Sequence, residues 1–82
     1  MNETKSTYEI LNRTDLSSTT ILTISEDRYH NGKYKETVWT VVTDDDGNDF
    51  AVSGKSGEHY DLATPKQPSI VRLVEFISNA DF

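Results

Sequence analysis

The chain contains no cysteine. Disulfides, thiolate metal sites and cysteine nucleophiles are therefore excluded, and stability has to come from packing. It has only two prolines and four glycines, so each is read as a turn or an element boundary. No apolar run approaches membrane-spanning length. The N-terminus, MNETKSTYEI, lacks the basic-then-apolar pattern of a signal peptide, and the expected location is a reducing cytoplasm. Asn12-Arg13-Thr14 fits a glycosylation sequon, which without a secretion signal is read as coincidence. Basic residues are scarce: 8 Lys and Arg stand against 14 Asp and Glu, a net charge of −6. That balance disfavours broad binding to nucleic acid and favours attraction to a basic partner surface.

What is present is periodic. Apolar residues make up only 34% of the 82 residues, yet their spacing indicates one folded domain over residues 1–82. Strand-like runs flank His30-Asn31-Gly32-Lys33, and Asn-Gly is the preferred pair of a type I′ hairpin turn. Pairing outward sets Tyr29 against Tyr34, Ile24 against Trp39 and Leu22 against Val41. One face then carries Leu22, Ile24, Trp39 and Val41, as a half-buried antiparallel sheet requires. Asp46-Gly47 reads as a second hairpin pair, setting Thr43 against Phe50 and Val41 against Val52. Lys55-Ser56-Gly57 reads as a three-residue loop, setting Val52 against Tyr60 and Phe50 against Leu62. These registers put Phe50, Val52, Tyr60 and Leu62 on the Trp39 face.

Ser6-Thr7-Tyr8-Glu9 fits a capping box, but Tyr8, Ile10 and Asn12 alternate, and the segment leans toward a strand. Thr14 to Ser18 is turn material. Thr64-Pro65-Lys66-Gln67 reads as the start of a helix, with Ser69 as the alternative cap if Pro68 delays it. Ile70, Leu73, Val74 and Ile77 form an apolar stripe at helical spacing, flanked by Val71 and Phe76. The expected fold is α+β: an antiparallel meander of four or five strands with the C-terminal amphipathic helix across one face.

Two short motifs invite chemistry and fail on spacing. A calcium loop starting at Asp44 needs glycine at its sixth position and Glu at its twelfth, where Asp49 and Lys55 stand. A phosphate loop ending in Gly54-Lys55-Ser56 needs an earlier glycine where Asp49 stands, and a helix after it. Both are read as turns, so no metal and no cofactor is expected. His59 and Asp61 share a strand face at a spacing common by chance. No serine is locally paired with a base, and the reading is non-enzymatic.

Two charged ends remain. Asp44, Asp45, Asp46 and Asp49 cluster on one turn, and such carboxylates can stand in for a row of phosphates. Arg28, Tyr29, His30, Lys33, Tyr34 and Lys35 cluster at the opposite end of the same hairpin. There, rings could stack a base while cations hold phosphates, or the rings could serve as a cross-strand pair. The segments "DDDGNDFAVS" and "SIVRLVEFIS" together resemble a hairpin-then-helix unit of small acidic anti-CRISPR inhibitors of Cas9. The resemblance implies a phage-encoded inhibitor acting in the host cytoplasm, with acidic residues occupying the DNA site of a nuclease. The leading expectation is a nucleic-acid-mimicking inhibitor that uses the four aspartates against a basic, nucleic-acid-handling protein. The alternatives are a nucleic-acid-binding or accessory module using the Tyr29/Tyr34 hairpin, and a structural interaction subunit.

Overall fold

The computed structural model describes residues 4–46 and 48–80. Five strands lie in chain order in one antiparallel sheet: β1 (Thr4–Asp15), β2 (Thr19–His30), β3 (Lys33–Asp44), β4 (Phe50–Ser53) and β5 (His59–Asp61). The helix α1 (Pro68–Asn79) follows. The expected α+β meander is the observed one, and the N-terminal segment is a strand. Among the described residues no helix is long and apolar enough to cross a membrane.

The β2–β3 hairpin forms as its turn dictates. Asn31 and Gly32 both take positive φ, 52° and 78°, the requirement of a type I′ turn. Tyr29 pairs with Tyr34, Ile24 with Trp39 and Leu22 with Val41. Leu22, Ile24, Trp39 and Val41 are all buried. β1 places Tyr8 opposite Glu26 and Ile10 opposite Ile24, then shifts register before Asn12. Leu11 is the extra residue and is exposed. A bulge of this kind exchanges the two faces downstream. Asn12, opposite Thr23, therefore leaves the core face that the alternation had given it.

The second hairpin corrects the expectation. Val42 pairs with Phe50, Val41 with Ala51 and Trp39 with Ser53, one residue away from the register an Asp46-Gly47 turn would impose. A one-residue slip turns every side chain over. Ala51 and Ser53 are thus buried under the helix, while Phe50 and Val52 lie on the outer face. Gly47 lies outside the described residues. On either side of it the Asp44 carboxylate accepts from the Asp46 N–H at 3.0 Å and the Asn48 N–H at 2.8 Å. The third turn slips by one as well: Val52 pairs with His59 and Ala51 with Tyr60. The two slips cancel, so Tyr60 and Leu62 keep their expected core side.

Packing explains the exchange. Trp39 of β3 and Tyr60 of β5 meet edge to face, with ring centroids 5.8 Å apart, although β4 lies between their strands. They can do so only over small side chains, and Ala51 and Ser53 are small where Phe50 and Val52 are not. Gly54 has its own constraint: its N–H donates to Val38 O at 2.8 Å. A Cβ at Gly54 would lie 2.6 Å from that oxygen.

The helix also starts later than the Thr64 box suggests. Pro68 holds Gln67 in the extended region, with φ −102° and ψ 144°, and Gln67 is the N-cap, not Thr64 or Ser69. Pro68 then occupies the first turn, where its missing N–H costs nothing. The Thr64 hydroxyl instead donates to Asp61 Oδ2 at 3.1 Å. Ile70 and Leu73 are fully buried, and Val74, Phe76 and Ile77 pack against the same core. Phe76 stacks on Tyr8 of β1 at 4.9 Å.

Candidate functional site

The molecule is elongated, 45 × 25 × 24 Å, because β1, β2 and β3 each run twelve residues. Its two ends differ in charge. At one end the β1–β2 and β3–β4 turns lie side by side, joined by a 3.0 Å hydrogen bond from the Asp45 N–H to Ser18 O. The four aspartates of this end do not play one role. Asp44 is partly buried and serves the loop, also accepting from the Asn48 side-chain amide at 3.2 Å. Asp49 is partly buried, and its carbonyl accepts from the Leu62 N–H. Asp45 and Asp46 are exposed. Among the described residues, no group of three or more His, Asp or Glu side chains is placed to hold a metal ion.

At the other end, strand alternation sorts the basic hairpin by face. Arg28, His30, Lys33 and Lys35 share the helix side with Ile24 and Trp39, whereas Tyr29 and Tyr34 point to the outer side. The two rings pack on each other, with centroids 5.0 Å apart and planes tilted by 55°. Tyr34 is 76% exposed. The exposed pair Asp27 and Glu36 neighbours them on that outer side. A site combining both rings with the cations is therefore divided between two faces of one sheet.

On the helix side the cations border a groove. Arg28, His30, Lys33 and Lys35 form one wall, and Ser69 and Arg72 of α1 contribute to the other. Its volume is about 720 Å³, and among the described lining residues none is acidic and the His30 imidazole is the one aromatic ring. The helix start that opens onto it has no side-chain cap and no acidic residue in its first turn. Arg72 Nε is buried without a hydrogen-bond partner.

Beneath the groove lies Glu26, only 1% exposed. Its carboxylate accepts from Ser6 Oγ at 2.6 Å, Trp39 Nε1 at 2.9 Å and Arg28 Nε at 3.3 Å. Burial alone, the largest influence, pushes its pKa up. The Ser6 and Trp39 hydrogen bonds and the Arg28 charge together outweigh it and hold the carboxyl below its ordinary value. Tyr8 is shifted the other way: burial first, then the Glu26 charge, raise its pKa against the opposing pull of Ser6 and Arg72.

Neither Glu26 nor Arg72 was identified as a site residue from the sequence. The signal for Glu26 was present, since continuing the Leu22, Ile24 alternation by one step lands on it. Arg72 follows Ser69 by three, the spacing that stacks residues on one helix face, but only the tertiary fold sets that face against β2 and β3. Searches of protein-family models, curated proteins and solved structures find no match to this chain.

Proposed function

We propose that this protein is a non-catalytic binding protein whose acidic end docks on the basic surface of a nucleic-acid-handling protein. The observation that carries the reading is the Asp44-braced loop. Its carboxylate ties down two backbone N–H groups of the turn, so Asp45 and Asp46 are presented on an ordered segment at one end of a long body. Pre-ordered carboxylates lose little conformational entropy on docking. They meet Arg and Lys side chains that would otherwise hold phosphates, which makes the protein a competitor of nucleic acid and, on this reading, an inhibitor.

The test begins with affinity purification from the native host and identification of the eluted proteins. Asp45→Asn with Asp46→Asn removes two charges while Asp44 continues to brace the loop. The double variant is expected to fold with an unchanged denaturation midpoint and to lose at least about tenfold in partner affinity. A partner that holds nucleic acid and this protein together, and binds the variant as tightly as the wild type, would refute the reading.

A further inference from the structure

Four of the eight Lys and Arg residues of this acidic chain, Arg28, Lys33, Lys35 and Arg72, line one groove between the β2–β3 tip and the start of α1. Like charges repel, so gathering half of a scarce resource in one concavity is unfavourable unless something neutralises it. The fold supplies one partial answer: Glu26 pairs with Arg28 at 3.3 Å. That contact holds the Arg28 side chain in place, while no carboxylate of the described residues lines the groove itself.

We propose that this groove is an anion site for a compact diphosphate-bearing ligand, held through its phosphate groups. Three independent observations converge. Cations from two strands and a helix face the same space, so an anion seated there would meet charge from both walls. The first turn of α1 opens onto that space with its N-terminal partial charge uncompensated by any acidic side chain, and helix N-termini favour anions. The volume of about 720 Å³ falls within the small-molecule range. Among the described lining residues there is no Phe, Tyr or Trp, and the His30 imidazole is the one ring beside four cations, so the lining favours phosphate recognition through charge over extended base stacking. Tyr29 and Tyr34 cannot supply stacking to this ligand, because they lie on the other face. The site is at the opposite end from the acidic loop and stands or falls without it.

The probe is inorganic pyrophosphate, titrated at low salt into ¹⁵N-labelled full-length protein, with a nucleoside diphosphate in a parallel arm. Saturable shifts are expected at Lys33, Lys35, Ser69 and Arg72 and not at Asp45 or Asp46. Lys33→Gln with Lys35→Gln touches only exposed side chains, so the fold is kept, and it should weaken binding by about tenfold or more. Arg72→Lys retains the charge but loses the planar fork, and should weaken it less. Equal affinity for the two probes would identify free diphosphate as sufficient. Tighter nucleoside diphosphate binding would identify a nucleotide as the source, and either supports the site. Absence of saturable shifts at millimolar pyrophosphate, or affinity unchanged in the lysine variant, overturns it. So does binding of oligonucleotides that strengthens with length while pyrophosphate fails.

Discussion

Glu26 takes hydrogen bonds from Ser6 of β1, Arg28 of β2 and Trp39 of β3, which joins the three long strands through one buried carboxylate. Its lowered pKa makes it a pH-linked contribution to stability. In the folded state it holds its proton less tightly than in the unfolded chain. The contribution is therefore fully present above the ordinary glutamate value of about 4.3 and is lost as pH falls through the lowered folded value. Glu26→Gln keeps one acceptor oxygen but turns an amide NH2, itself a donor, toward donors that the second carboxylate oxygen now accepts from. We expect it to cost about 1–3 kcal/mol at pH 7, with a smaller deficit in acid, read by urea denaturation at both pH values. An equal deficit at both would assign the loss to shape and not to charge. Gly54 is constrained by space, since its added Cβ would lie 2.6 Å from a backbone oxygen. Gly54→Ala should cost about 1–3 kcal/mol, as overpacking does, whereas Gly54→Ser with a normal midpoint would show that the strands can separate there freely.

The β3–β4 connection and the helix set the core at the scale of elements. Asp44 is a local brace in the loop, accepting from two backbone N–H groups and one side-chain amide. Asp44→Ala should cost about 0.5–1.5 kcal/mol and speed amide exchange at Asp46 and Asn48 in particular. Unchanged exchange at those two amides would mean that the loop is ordered by something else. Trp39, 4% exposed, closes the space between sheet and helix and meets Tyr60 over Ala51 and Ser53. Trp39→Ala is expected to lower stability by about 3–5 kcal/mol in a denaturation series. Ala51→Val should also destabilise, because a larger side chain enters the gap under the two rings. Tolerance of that change would undermine the steric account of why β4 presents its small residues inward.

Charge separation is a property of the whole molecule. The exposed carboxylates Asp45 and Asp46 lie at one end of a 45 Å body, and the cationic groove lies toward the other. That distance is several times the screening length of about 8 Å at physiological salt, so the two ends act as separate electrostatic sites. Raising salt should weaken association at the acidic end more for the wild type than for the Asp45→Asn, Asp46→Asn variant, measured as association rates across an ionic-strength series. Identical salt slopes would mean that these two carboxylates do not steer the encounter.

Local rules determined much of this protein directly from the sequence. Asn31-Gly32 can adopt the two positive φ values of a tight turn, and that one turn set twelve cross-strand pairs from Thr19–Asp44 to His30–Lys33. The apolar stripe of α1 and the alternation of Leu22, Ile24, Trp39 and Val41 were legible for the same reason, since each follows from the period of its element. The candidate sites were legible as clusters of charge, but not in their division of labour. Asp44 differs from Asp45 only in what its carboxylate reaches, and Arg28 differs from Tyr29 only in the face it occupies once a helix covers one side. The register of β4 and the start of α1 were decided by tertiary contacts. Asp46-Gly47 offered a tight turn, but two rings and a helix required Ala51 and Ser53 beneath them, and close packing outweighed the weaker preference of a turn. Glu26, Arg72 and the groove above them arise from segments distant in the chain, and no local period records which distant side chains will share one space.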